Sequence, residues 1–390
     1  MTVLAPWRFV ESWRFFASLR ETGFWLMCSR EDAKIRQDAK TILDEPNSKL
    51  MNLKGRDFLS TADFTANELT SLIDLAEKIK AGDYRERPLH GKSVALVFFN
   101  PSLRTRASME IAVYELGGNA VTLDVGKGTW SLEHRESVVM DSDKTEHIKE
   151  AARVLSRYVA AIGVRAFPEM KNYDDEMTDP VVRGFAEHSD VPVFNLESSR
   201  HHPFQALADA MTIREKLGGF SHQRVVLSWA YHPKPLPMAV PNSFALIAAQ
   251  CGLDLTIACP PEYDLGDEAI AEIEAGAKSS GGHVTMSRDH HKACEGARIV
   301  YAKSWGSKKF YGRSEEDIEL RQQYKHWRID EEVMRSTDNG WFMHCLPVRR
   351  NVVVTDAVLD GPQNAAIDEA ENRLHAQKGI LTWCLHAAAL

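Results

Sequence analysis

The chain has 390 residues, 44% of them hydrophobic, which is enough apolar material for two packed α/β cores rather than one. A formal charge of −8 and an isoelectric point near 6.0 argue against general affinity for nucleic acid or an acidic membrane surface. Any anion must then be caught by a local cluster of Arg, His and backbone N–H. The six cysteines (28, 251, 259, 294, 345, 384) have no CxxC spacing, and read as reduced thiols of a cytoplasmic protein rather than a disulfide frame or metal site.

Residues 1–50 differ from the rest of the chain. They carry Trp7, Trp13 and Trp25 among many Arg and close on the polar Glu45, Pro46 and Asn47. The apolar run Gly23–Cys28 is too short for a signal-peptide core or a membrane span, and Glu11, Glu21, Glu31 and Asp32 do not suit an acid-poor transit peptide. The segment reads as a poorly ordered extension, or as the product of a start codon placed too early, with Met51 opening the folded protein. From there short apolar strands are predicted at Ser93–Phe99, Ala120–Leu123, Ala160–Gly163, Pro192–Asn195, Val225–Trp229, Asp254–Ile257 and Ile299–Ala302. Helical periodicity is predicted for Ser102–Leu116, His147–Tyr158, Phe204–Leu217 and Glu268–Ala277.

This alternation implies two doubly wound α/β domains, each a mostly parallel sheet flanked by helices. The expected division is 51–196, 197–364 and a closing helical stretch, 365–390, that packs back across both. Ligands of such folds sit beyond the carboxyl ends of strands, so residues just after strands carry most weight.

Three segments stand there. Phe98-Phe99-Asn100-Pro101-Ser102-Leu103-Arg104-Thr105-Arg106 follows the first strand, with Ser102 where a helix N-cap belongs. The hydroxyls of Ser102 and Thr105, the Arg104 guanidinium and the free N–H groups of a first helical turn make a phosphate site; the plainer reading is a capped helix with surface arginines. His202-Pro203-Phe204-Gln205 opens another helix, with His202 able to donate to a carbonyl oxygen and Gln205 one turn on facing the same way. The neighbouring His201 reads as a histidine satisfying backbone. His344-Cys345-Leu346-Pro347 follows the apolar stretch Trp341–Met343; Pro347 is expected to force an extended or turned backbone at Leu346, leaving the carbonyls of Cys345 and Leu346 for a ligand N–H. A nucleophilic Cys345 is rejected, since no base and orienting acid accompany it at a known spacing.

Together, in this order, the three segments resemble the transcarbamylase family, over a span from about Met51 to the C-terminus. The first resembles the family's carbamoyl-phosphate loop, with Leu103 where Thr is usual; the others are similar to its His-Pro-x-Gln and carbamoyl-binding motifs. The resemblance implies that Ser102, Leu103, Arg104, Thr105, Trp130, Arg165, His202, Gln205, Cys345, Leu346 and Arg373 bind carbamoyl phosphate. Trp130 would come from a neighbouring subunit, which implies a homotrimer with shared sites. Arg104, Thr105, Arg165 and His202 would polarise the carbamoyl oxygen, and the leaving phosphate can take the amine's proton. No cofactor and no metal is expected; Asp289-His290-His291 reads as a charged helix start.

The acceptor amine is read from departures. Where ornithine transcarbamylases have an Asp and a Ser-Met-Gly loop, this chain has Tyr301-Ala302-Lys303-Ser304-Trp305-Gly306. A cationic Lys303 would repel a free α-ammonium and suit a carboxylate. With Trp229-Ala230-Tyr231-His232-Pro233-Lys234 and Glu197, the segment resembles transcarbamylases of N-acetyl- or N-succinylornithine, which implies that Glu197, His232, Lys303, Arg349 and Thr145 bind the acylornithine. Acetyl-type members carry Glu, and succinyl-type members Pro, where this chain has Thr145. Ala239–Phe244 and Val353, in place of an acetyl-type Lys, also look succinyl-type; Ala230–Lys234 and Glu371–His375 look acetyl-type. The expectation is a cytoplasmic carbamoyltransferase of arginine biosynthesis, with N-succinyl slightly favoured. The alternatives are ornithine carbamoyltransferase, or a silent phosphate- or amino-acid-binding regulator on the same fold. The regulator would be favoured by a broken Arg/Thr/His set, which here is intact. A nucleotide-dependent dehydrogenase lacks a G-x-G-x-x-G after any strand.

Overall fold

The structure is a computed structural model and describes residues 54–386; the extension expected over residues 1–50 lies outside the described residues. The first sheet consists of β1 (Ser93–Phe98), β2 (Asn119–Asp124), β5 (Ala161–Arg165) and β6 (Val193–Glu197), all parallel in the order β2-β1-β5-β6. Two-residue strands β3 (Leu132–Glu133) and β4 (Glu146–His147) pair separately. The second sheet holds β7 (Arg224–Trp229), β8 (Asp254–Ala258), β9 (His283–Ser287), β10 (Ile299–Lys303) and β11 (Trp341–Met343) in the order β11-β10-β7-β8-β9, again parallel. Val94–Phe98 and Val225–Trp229 are buried along their whole length, as strands covered on both faces must be, which is why they read as unbroken apolar runs.

Among the described residues eight helices have nine or more residues: α1 (Ala66–Ala81), α2 (Arg104–Glu115), α3 (Ile148–Ser156), α4 (Pro180–His188), α5 (Pro203–Leu217), α6 (Ala239–Gln250), α7 (Asp267–Ser280) and α8 (Ala366–Leu385). Sequence periodicity found α2, α3, α5 and α7 to within about three residues at each end. It missed α1, whose start carries a reciprocal cap: Thr65 Oγ1 accepts from Glu68 N (3.2 Å) and Glu68 Oε2 from Thr65 N (2.7 Å). Gly82 ends α1 at φ 81°, a left-handed position that favours glycine.

The expected closing helix is α8, which packs against α1, α2 and α5 and also reaches β11. At Gly379 a Cβ would meet the Leu72 carbonyl oxygen at 3.4 Å, so the small residue lets α8 approach α1 closely. The result is two α/β domains with parallel sheets flanked by helices, and a C-terminal helix packed against both. In each sheet the chain starts centrally, builds to one side and then crosses to the other. The points where strand order reverses lie between β1 and β5 and between β7 and β10.

Candidate active site

The carboxyl ends of those four strands meet at one cavity of about 640 Å³. Phe98 pairs in register with Arg165, and Trp229 with Lys303, so each reversal point delivers one cation to the mouth. Beyond β1 the chain turns through Asn100, whose Oδ1 accepts from Phe167 N (2.7 Å) and so ties the turn to the segment after β5. Helix α2 starts at Arg104, one residue later than a Ser102 N-cap would place it. Ser102 nonetheless makes the capping bond, its Oγ accepting from Thr105 N (3.2 Å). Thr105 is buried, Arg104 is half-buried in the wall, and burial pulls the Arg104 guanidinium below its usual range. Arg106 faces elsewhere, in a bidentate pair with Asp124 at 3.1 and 2.9 Å.

Arg165 lies over the Phe167 ring at 4.4 Å and pairs with the Glu197 carboxylate. His202 Nε2 stands 3.4 Å from the same Glu197 oxygen. Glu197 itself has φ 137°, a strained position for a residue with a side chain, held by Asn195 Oδ1 accepting from its N–H (3.0 Å). The buried nitrogens Arg165 Nε, Arg373 Nε and His202 Nδ1 have no hydrogen-bond partner among the described residues. Burial, with Arg373, Arg165 and Lys303 adding to it, holds His202 well below the usual histidine range, so its ring is neutral at pH 7.

Arg373, on α8, donates through Nη1 to Gln205 Oε1 (2.7 Å) and through Nη2 to Thr105 Oγ1 (2.9 Å). One guanidinium thereby joins α8, α5 and α2. Burial pulls it down to about 10, still charged at neutral pH. Gln205 Nε2 donates to Asp209 Oδ1 and to Glu369 Oε1, both at 2.8 Å, so its amide hydrogens are taken by the protein. Burial raises Asp209 to about 7 and Glu369 well above the usual carboxyl range, with the neighbouring Asp209 adding to the rise at Glu369.

On the facing wall, Glu369 Oε2 accepts from His344 N (2.9 Å), and His344 Nδ1 accepts from Leu346 N (2.8 Å). Leu346 is therefore turned rather than extended, the second of the two backbones its place before Pro347 allows. It takes a left-handed φ of 50°, held there by the bond to His344. Cys345 lies within the same wall, and burial pushes its thiol up, away from the reactive thiolate. Arg349 Nε donates to His232 Nε2 (2.9 Å), which leaves His232 Nδ1–H to face Lys234 O at 2.8 Å. Burial, together with Arg349, lowers His232, so it too is neutral.

Ser102, Leu103, Arg104, Thr105, Arg165, Glu197, His202, Gln205, His232, Lys303, Cys345, Leu346, Arg349 and Arg373 all line this single cavity. Trp130, 68% exposed, and Thr145, exposed just before β4, do not. Sequence reasoning missed His344, Ser304 and Phe167 in the wall, and Asp209, Tyr301 and Glu369 behind it. Glu369 had a signal: it stands four residues before Arg373, on the same helical face. Asp289, set aside as a helix start, caps the short helix His290–Cys294 by accepting from Lys292 N (3.1 Å).

The wall carries Arg104, Arg165, Arg373, Lys303 and Arg349, while Glu197 is its only carboxylate among the described residues. Five cations against one anion suit a ligand set of several negative charges. No helix among the described residues is long and apolar enough to cross a membrane.

Comparison with known proteins agrees. Residues 56–215 match the family model for the aspartate/ornithine carbamoyltransferase carbamoyl-P binding domain, and residues 238–384 match that for the Asp/Orn binding domain. The N-acetylornithine carbamoyltransferase of Xanthomonas campestris pv. campestris is 47% identical over 327 residues, 83% of this chain and 96% of the relative. The N-succinylornithine carbamoyltransferase of Bacteroides fragilis is 39% identical over 307 residues, 78% and 92% of the two chains. Solved structures of N-acetyl-L-ornithine transcarbamylase superpose with a TM-score of 0.82 at 47% identity, covering 84% of this chain and 98% of theirs. One is complexed with acetylcitrulline. In two others a glutamate is replaced by alanine or proline, and the complex holds carbamyl phosphate and N-succinyl-L-norvaline.

Proposed function

The chain belongs to the aspartate/ornithine carbamoyltransferase family, and from that premise we propose that it transfers the carbamoyl group of carbamoyl phosphate to the δ-amine of an N2-acylated ornithine, giving N-acylcitrulline and phosphate. One observation carries the choice of acceptor. The cavity offers the amino-acid end Lys303 and Arg349, with no carboxylate within 4 Å of Lys303 among the described residues. A free α-ammonium there would sit beside a cation without a counter-charge, whereas a neutral amide and an α-carboxylate fit.

The phosphate is held by Ser102, Arg104, Thr105, the first-turn N–H groups of α2, Arg165 and Arg373. Arg104, Thr105, Arg165 and the neutral His202 stabilise charge developing on the carbamoyl oxygen. The δ-nitrogen forms its bond to the carbamoyl carbon as the C–O bond to phosphate breaks, and phosphate takes the amine proton. The carbonyls of Cys345 and Leu346 accept from the carbamoyl NH2. Gln205 can add only its Oε1, because both its N–H groups are engaged. Arriving carbamoyl phosphate competes with Glu197 for Arg165 and His202, which releases that carboxylate toward the acceptor amine.

The acceptor in this reading includes N-succinylornithine, used in a cytoplasmic arginine-biosynthesis route by a homotrimer whose neighbouring subunit supplies Trp130, with Thr145 at the acyl end of the substrate. The absence of a glutamate at Thr145 supports it. So do the solved variants of N-acetyl-L-ornithine transcarbamylase, where a glutamate is gone and an N-succinyl compound is bound. Val353, in the cavity wall, adds no cation where the acetyl type has Lys. The test is phosphate release with ornithine, N-acetylornithine and N-succinylornithine side by side. Ornithine as the best acceptor would overturn the acyl assignment, and N-acetylornithine alone would overturn the succinyl one.

A further inference from the structure

At the end of the second sheet opposite the active site, three strand beginnings bring two imidazoles and a carboxylate together. Asp254 opens β8, and His283 opens β9 as its register partner. His222 lies two residues before β7, whose Arg224 pairs with Asp254 on the other side. His283 Nδ1 stands 3.0 Å from Asp254 Oδ1, and His222 Nδ1 stands 3.6 Å from the same oxygen. One donor atom from each of the three residues falls within 4.8 Å of the others.

A hydrogen bond accounts for the His283 contact. It does not account for His222, which brings its nitrogen to the same oxygen from beyond hydrogen-bond distance. A shared metal ion would. Two ligands of a tetrahedral zinc, each about 2.1 Å from the ion, stand about 3.4 Å apart, and the two observed separations bracket that value. The donor set is right as well: imidazole nitrogen with one carboxylate selects zinc and its transition-metal neighbours over magnesium or calcium, which take oxygen. Both rings are mostly exposed, at 63% and 72%, so water can complete the coordination.

We propose that His222, Asp254 and His283 form a surface site for a divalent transition-metal ion of the zinc class. The ion joins the start of edge strand β9 to β8 and to the segment leading into β7. The placement has a mechanical consequence. Among the described strands β9 pairs only with β8, so a metal at its first residue ties the free edge of the sheet to the segment leading into β7. Because the catalytic cavity lies at the other ends of these strands, filling the site leaves carbamoyl transfer unchanged.

The test uses the full chain, stripped with chelator, and zinc alone as the probe. Equilibrium dialysis should show one zinc per wild-type chain that is weakened at least tenfold in His283→Ala and in Asp254→Asn, and is retained in His326→Ala, an exposed histidine elsewhere. Magnesium in excess should not displace it. Zinc should raise the unfolding temperature of the wild type, because it binds only the folded state, and not that of His283→Ala or the milder His222→Gln. Turnover of these variants without metal should equal that of the wild type. Superimposable zinc isotherms for wild type, His283→Ala and Asp254→Asn would overturn the proposal, as would equal competition by magnesium.

Discussion

Glu369 offers the sharpest check on how the site is held. Replacing it with alanine removes the acceptor of Gln205 Nε2 (2.8 Å) and of His344 N (2.9 Å), both in a fully buried place. A buried donor left without a partner costs about 1–3 kcal/mol, so the two together cost about 2–6 kcal/mol. One effect opposes this. Gln205 Nε2 still donates to Asp209 Oδ1 (2.8 Å), so its amide keeps one acceptor and part of the loss is recovered. The net expectation is a destabilisation of about 2–4 kcal/mol, a large share of the few to fifteen kcal/mol that a folded protein has in hand. The exposed Glu371, two residues on, sets the contrast: its alanine variant should stay within about 0.5 kcal/mol.

Urea denaturation of the two variants measures the difference. Activity should fall as well, because Gln205 aligns Arg373 and His344 anchors the loop through Leu346. A rise in KM for carbamoyl phosphate of at least tenfold is expected. Glu369→Ala matching Glu371→Ala in denaturation midpoint would refute the reasoning, since the buried donors would then have found other partners at no cost.

The same geometry sets four more outcomes. Arg104→Ala should cut kcat/KM at least a hundredfold while moving stability by under about 1 kcal/mol, as the side chain is half-exposed and makes no hydrogen bond among the described residues; near-normal turnover would sink the phosphate assignment. Inactive Trp130→Ala and Arg165→Ala chains, mixed and allowed to exchange subunits, should regain activity; no recovery would mean the site lies within one chain. Asp209 has a folded pKa raised to about 7, so its contribution is fully present below the unfolded value near 4 and is lost as pH rises through 7; Asp209→Asn should flatten that fall in denaturation midpoint, and an unchanged slope would show that the carboxyl is not the cause. Thr145→Glu should reduce turnover of N-succinylornithine more than tenfold relative to N-acetylornithine, because two carboxylates about 4 Å apart repel by several kcal/mol at an effective dielectric near 20; equal losses would make the position structural.

What the sequence revealed and what it hid divide along a physical line. Strands β1, β5, β7 and β10 were legible because they are covered on both faces and must be apolar throughout. β9 was not, since an edge strand reading His-Val-Thr-Met-Ser needs no such run and has none. The ligand-facing groups were equally legible: Arg104, Arg165, His202 and Lys303 each stand at or just beyond the end of a strand, where few residue types can serve. The groups behind them were hidden by their own character. Glu369, Asn372, Gln377 and Lys378 look like the solvated face of an ordinary helix, yet all are buried, because α8 has neighbours on nearly every side. A polar residue in such a helix is kept by what it bonds, and the partners of Glu369 and Arg373 come from the segment after β11, from α5 and from α2, separated from them in sequence by from 25 to more than 250 residues. Arg373 shows the consequence most clearly. Read as a motif it is one more phosphate cation. In the fold its two terminal nitrogens fix Thr105 and Gln205 before any phosphate arrives, so Arg373→Lys, which keeps the charge but loses the fork, should still cost about as much carbamoyl-phosphate affinity as Arg373→Ala. Full affinity in the lysine variant would return Arg373 to the role of a simple counter-charge.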